Sequence, residues 1–192
     1  MTTVGLIENT SSCVGVLPLD DQTLSSYDSN AREFAERYEN GSGGISEWFG
    51  VAFPKRCRVL DVGAGSGRDL SLLLAGGWEA FGVEPAPGLV EEALRCHPEL
   101  QGRLSRDGLP GLSTIGDRSF DGILCSAVLM HIPEEEMFDS ILSLRRILEP
   151  GGRLLLSLPI EADGTPTCGR DSTGRIFNGL SAGKIERLMS RC

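Results

Sequence analysis

The sequence predicts an α/β protein built on a doubly wound parallel sheet. Three observations predict it. Short apolar runs alternate with stretches of helical spacing, the connections between them are short, and a glycine-rich turn, Gly63-Ala64-Gly65-Ser66-Gly67, joins the first confident apolar run to a helical stretch. Strands that each lead into a helix pair in parallel and carry helices on both faces. The 192 residues are enough for one domain with a proper core.

The elements follow in order. Residues 1–26 hold Thr, Ser, Asn and Asp without a sustained period and are expected to be a flexible leader, so the domain is expected to span 27–192 with its core at 55–159. Residues 27–40 read as a helix with Ala31, Phe34, Ala35 and Tyr38 on one face, ended by Gly41-Ser42-Gly43-Gly44. A shorter helix with Trp48 and Phe49 is expected at 45–53. Residues 57–62 form a buried strand, and 68–75 a helix with Leu70, Leu73 and Leu74 inward, stopped by Gly76-Gly77. The second strand covers 78–83 and ends at Glu84-Pro85. A helix follows at 88–96, a weak strand at 102–105 and a confident strand at 120–125.

Pro133, followed by Glu134, Glu135 and Glu136, marks a helix start, because acids suit the positive end of the helix dipole. Met137, Ile141, Leu144 and Leu148 share its inner face. Pro150-Gly151-Gly152 then turns the chain into a fifth strand at 153–158, apolar on both faces as a central parallel strand should be. A polar loop is expected at 161–179 and a helix at 181–191, with no strand pattern between them.

Composition narrows the partners. The net charge of −9 and pI near 4.8 argue against nucleic acid held by bulk electrostatics. No apolar run approaches a membrane span, and the first basic residue is Arg32, so neither membrane contact nor a signal peptide is expected. The six cysteines make no C-x-x-C pair, and His97 and His131 lie far apart in sequence. No metal site is expected, and free thiols suit a reducing, cytoplasmic setting.

Four features carry chemistry. Asp61 precedes the glycine turn, whose backbone can approach a ligand closely at a helix N-terminus. A nicotinamide or flavin dinucleotide site would need G-x-G-x-x-G, but the third glycine comes one residue early, at Gly67, and Arg68 stands in its place. Glu84 ends the second strand, beside the glycine turn, where a carboxylate can accept from two ribose hydroxyls. Asp107-Gly108-Leu109 follows the third strand; Asp107 can accept from an adenine amino group and Leu109 can pack on the purine. The backbone of Cys125 and Ser126 ends the fourth strand, and His131 in the loop beyond could face a second substrate as a catalytic group.

Taken in this order, these features resemble the small bacterial-type class I S-adenosylmethionine-dependent methyltransferases over residues 27–159. Leu148-Glu149-Pro150-Gly151-Gly152-Arg153-Leu154 is similar to that family's turn into its fifth strand. The opening Tyr27-Asp28-Ser29-Asn30-Ala31, with Phe34 and Tyr38, is similar to its cofactor-covering helix.

The resemblance implies a Rossmann-like fold, S-adenosyl-L-methionine as cofactor and S-adenosyl-L-homocysteine as product. The sequence lacks the Asn/Asp-Pro-Pro-Tyr and Pro-Cys segments of amino-group and cytosine-C5 methyltransferases, so a small-molecule methyl acceptor is expected. Asp61, Gly63, Ala64 and Gly65 would line the methionine end, with Tyr27, Arg68, Cys125 and Ser126 as neighbours. Glu84 and Pro85 would flank the ribose, and Asp107, Gly108 and Leu109 the adenine. Binding of the cofactor without turnover, or an NAD-dependent oxidoreductase, are the alternatives.

The family's sheet continues with a helix and an antiparallel pair, whereas only 33 residues follow Pro159. The expected fold is therefore C-terminally shortened and lacks those last strands. Its fifth strand would be an open apolar edge, inviting a second copy or a covering tail.

Overall fold

The computed structural model describes residues 20–41, 44–158 and 168–190. At its centre is a five-stranded parallel sheet in the order β3-β2-β1-β4-β5. The strands are β1 (Arg58–Val62), β2 (Glu79–Val83), β3 (Leu104–Ser105), β4 (Phe120–Ser126) and β5 (Leu148–Ser157). Among the described residues three helices precede β1: α1 (Asp21–Ser29), α2 (Ala31–Asn40) and α3 (Phe49–Ala52), the last entered through a 3-10 turn at Ile45–Trp48. The crossovers carry α4 (Arg68–Ala75), α5 (Pro87–Cys96) and α6 (Met137–Ile147).

Strand alternation divides the core. Val59, Ala80 and Leu124 face Leu70 and Leu73 of α4, Ala93 of α5 and the aromatic group of Phe49, Phe53 and Trp78. Leu60, Val62, Ile123 and Cys125 face Met137, Ile141, Leu144 and Ile147 of α6. A one-residue slip would exchange these two sets, so burial on both faces pins the register.

Four differences from the sequence expectation have physical causes. Helix begins at Asp21, inside the stretch expected as leader, because Asp20 caps it by accepting from Thr23 N and Thr23 Oγ1, each at 2.9 Å. Residues 1–19 of that stretch lie outside the described residues. The helix expected at 27–40 is two helices, because Asn30 leaves helical geometry at φ −116° and ψ 23°.

Leu148 opens β5 instead of closing α6, and Ile147 is the last buried residue of the helix. The strand thereby takes in Pro150-Gly151-Gly152, with a register shift opposite Phe120 and Gly122.

The fourth difference lies in the tail. β6 (Cys168–Arg170) and β7 (Ile176–Asn178) form an antiparallel hairpin where a polar loop was expected; residues 161–167 of that loop lie outside the described residues. Strands of three residues are too short to show alternation, and their stability comes from contacts distant in sequence. Helix α7 (Ala182–Met189) follows, and its Ile185 joins the core beside Leu154, Leu156 and Leu180. The tail therefore covers a face of β5, while among the described residues no strand pairs with its outer edge. Among these residues no helix is long and apolar enough to cross a membrane.

Candidate active site

A cavity of about 540 Å³ lies at the carboxyl ends of β1, β2 and β4. The strand order reverses between β1 and β4, the switch point where open α/β sheets bind ligands.

The glycine turn forms its floor. Gly63 N and Ala64 N both donate to Val83 O, at 2.8 and 3.0 Å, which folds the turn over the tip of β2. Gly63 and Gly65 adopt φ values of +73° and +56°, which L-residues with a side chain rarely adopt. A Cβ at Gly63 would also meet Val128 Cγ2 at 2.5 Å. Backbone, rather than side chain, therefore lines this part of the cavity.

Two buried acids stand beside it. Asp61 is 2% exposed and its Oδ2 has no hydrogen-bond partner. Burial, reinforced by the nearby charges of Asp69 and Glu84, pushes its carboxyl well above the usual range. Glu84 Oε2 accepts from Gly65 N and Oε1 from Ala86 N, each at 2.9 Å. Burial pushes Glu84 up to about 7, although the two amides pull the other way. Desolvation outweighs two backbone hydrogen bonds here.

Pro85, Gly108 and Leu109 form one wall. Asp107 does not line the cavity. Its Oδ1 accepts from Gly108 N at 2.7 Å, and its Oδ2 from Thr114 N and Thr114 Oγ1, so the carboxylate organises its own loop. Cys125, whose backbone was expected to meet the ligand, is not on the cavity wall; its side chain is fully buried in the α6-facing core, and burial pushes its thiol up to about 12. Ser126, one residue on, does reach the cavity.

Arg68 lies on the wall, but it donates from Nη1 to Tyr38 O at 2.6 Å and from Nε to Asp69 at 3.2 Å. It ties the start of α4 to α2.

The roof comes from both ends of the chain. Tyr27 of α1, Arg37 and Tyr38 of α2, Val128, Met130 and His131 after β4, and Arg175 and Phe177 of the hairpin all contribute. His131 is on the wall, but neither of its nitrogens is free. Nδ1 lies 2.6 Å from Ile176 O and Nε2 lies 2.8 Å from Tyr27 Oη. His131 thus lies on the cavity wall with both ring nitrogens engaged inside the roof. Arg175 and Phe177 carry no local motif, and only the hairpin's return to α1 brings them here. Tyr38 was legible as a packing residue and, through the resemblance, as part of a cofactor-covering helix.

The model of the family described as "Methyltransferase domain" matches residues 60–156, which contain β1 to β5 almost entire. The chain belongs to this family.

Relatives of this methyltransferase-domain chain include the protein-L-isoaspartate O-methyltransferase of Anaeromyxobacter dehalogenans, 32% identical over 153 residues covering 73% of this chain and 69% of the relative. The ubiquinone biosynthesis O-methyltransferase of Xanthomonas oryzae pv. oryzae is 33% identical over 103 residues, covering 52% of this chain but only 42% of that enzyme.

Among solved structures, the Burkholderia thailandensis 1,6-didemethyltoxoflavin-N1-methyltransferase, bound to 1,6-didemethyltoxoflavin and S-adenosylhomocysteine, aligns with a TM-score of 0.69. It is 21% identical, with 88% of this chain and 75% of that chain covered. The [4+2]-cyclase SpnF aligns at 0.67 and 17% identity, covering 91% and 73%, so the fold also carries other chemistry. Tyr27, Arg175 and Phe177 lie outside the segment that the family model matches.

Proposed function

We propose that this chain transfers a methyl group from S-adenosyl-L-methionine to a small-molecule acceptor and releases S-adenosyl-L-homocysteine. The observation that carries this reading is the unpartnered Oδ2 of buried Asp61, set between the glycine turn and Glu84. A buried carboxylate oxygen without a donor calls for one, and a ligand ammonium would supply it.

The residues fit the cofactor. Asp61, Gly63, Ala64 and Gly65 would hold its methionine end, with Tyr27, Arg68 and Ser126 near by. Glu84, already ordered by two amides, would accept from the ribose hydroxyls. Leu109, Gly108 and Pro85 would enclose the adenine. When bound, the sulfonium supplies an electrophilic methyl, and the chain supplies position and exclusion of water. A cavity roofed by α1, α2 and the hairpin suits a small acceptor better than a macromolecule.

Calorimetry with S-adenosylmethionine, S-adenosylhomocysteine and NAD tests the cofactor. Binding of the first two without NAD is expected, and binding of NAD alone would sink the reading. A labelled-methyl turnover screen then separates an enzyme from a binder.

A further inference from the structure

Three hydrogen bonds in the roof have directions that chemistry fixes. Ile176 O can only accept, so the ring proton of His131 sits on Nδ1, 2.6 Å away. His131 is 3% exposed; burial, aided by the charge of Arg175 against the pull of Ile176 O, holds its pKa down at about 4. The ring is therefore neutral at neutral pH, and Nε2 is an acceptor. Tyr27 Oη lies 2.8 Å from Nε2, so the Tyr27 hydroxyl donates there. Arg175 Nη1 can only donate, and it lies 3.1 Å from the same oxygen. Arg175 is held in turn by Asp171, whose Oδ2 accepts from Nε at 2.8 Å and from Nη2 at 2.6 Å. The hydrogen of Tyr27 is thus engaged, and its oxygen, in a roof shared with the nearby Tyr38 hydroxyl, can only accept.

The geometry points to a role on the acceptor side: Tyr27 Oη receives a hydrogen bond from an O–H or N–H on the methyl acceptor's nucleophilic atom, and Arg175 and His131 position it to do so. This rests on the methyltransferase reading above. A nucleophile attacks through a lone pair. A wall that donates would occupy that pair, whereas a wall that only accepts takes the hydrogen and leaves the pair aimed at the methyl carbon. The pair then forms the new bond to carbon, the carbon–sulfur pair returns to sulfur, and the acidified hydrogen leaves as a proton to water. The substrate class is a protic oxygen or nitrogen nucleophile, and acceptors without a hydrogen on that atom are disfavoured. His131 is a positioning residue, because its tautomer gives Tyr27 its direction.

The test uses the full chain and has two readouts. Nitrogen-15 NMR of the ligand-free protein should show His131 protonated at Nδ1 and bare at Nε2. In protein saturated with S-adenosylhomocysteine, phenol should bind roughly tenfold tighter than anisole, which lacks the hydrogen. Tyr27→Phe should erase that preference. So should Arg175→Met combined with Asp171→Asn, which avoids stranding a half-buried carboxylate, while Arg175→Lys, still a donor, should retain it. An Nε2-protonated ring, no preference between the probes in the unaltered chain, or an undiminished preference in Tyr27→Phe would overturn the proposal. Failure of the methyltransferase reading would show separately, as no heat on titrating S-adenosylhomocysteine.

Discussion

Gly65 N donates to Glu84 Oε2 at 2.9 Å, and this bond joins the turn after β1 to the tip of β2. The two residues follow neighbouring parallel strands, whose last residues, Val62 and Val83, are paired. The bond orders one carboxylate oxygen and holds the turn in its left-handed geometry. It is the reason that a cofactor's ribose and methionine ends would meet a preformed site.

Glu84→Ala should weaken binding of S-adenosylhomocysteine by about 1–3 kcal/mol, the cost of removing a charged hydrogen-bond acceptor. The glycine turn should also loosen. Calorimetry reads the first effect and hydrogen exchange at Gly65 the second. Unchanged affinity would remove Glu84 from the site.

The pH dependence has a definite sign. Glu84 titrates at about 7 in the folded chain against an ordinary value of 4.5, so between those values the folded state holds more protons than the unfolded state. This group's contribution to stability is therefore present at low pH and declines as pH rises through about 7. Ligand binding should run the other way, because the carboxylate form is the better acceptor of ribose hydroxyls. Titrations of S-adenosylhomocysteine in buffers of different ionisation enthalpy should show proton release near neutral pH and tighter binding at pH 8 than at pH 6. Proton uptake would contradict the assignment.

Gly63→Ala should destabilise the fold as well as the site. The left-handed backbone costs an alanine about 1–2 kcal/mol. Its Cβ, 2.5 Å from Val128 Cγ2, adds about 1–3 kcal/mol of overpacking unless Val128 moves. Combining it with Val128→Ala should recover the packing part but not the backbone part. Denaturant melts of the two variants separate them.

Asn178→Ala should free the hairpin without unfolding the sheet. Asn178 Nδ2 donates to Leu129 O at 2.7 Å and Ile132 O at 2.8 Å, and stranding both carbonyls costs about 1–3 kcal/mol. Amide exchange should quicken in β6, β7 and α1, which the hairpin holds through Ile176 N and Thr23 Oγ1, and stay slow in β1 and β4. Equal acceleration throughout would mean that the hairpin is part of one cooperative unit with the sheet.

The sheet and the floor of the site were legible in the sequence because both are local. Apolar runs with helical stretches between them specify β1 to β5. The close turn requires glycine wherever φ is positive, so Gly63 and Gly65 mark the floor by their identity alone. Glu84 was legible because a strand end in a parallel sheet has a fixed place beside its neighbour.

Of the roof, the helix with Tyr27 and Tyr38 was legible through its resemblance to a cofactor-covering helix, and His131 as a residue that could face a second substrate. Arg175 and Phe177 of the hairpin were not, and neither was the loop-organising role of Asp107. An Asp before Gly can face a ligand or knit its own loop, and only the position of Thr114 decides for the loop. The partners of His131 could not be read because the hairpin supplies Ile176 O, Arg175 and Phe177 from more than forty positions along the chain. Residues 168–178 carry no periodicity that separates a polar loop from two short strands. Their structure is decided by hydrogen bonds to α1 and to the loop after β4, which exist only once the two ends of the chain have met over the sheet.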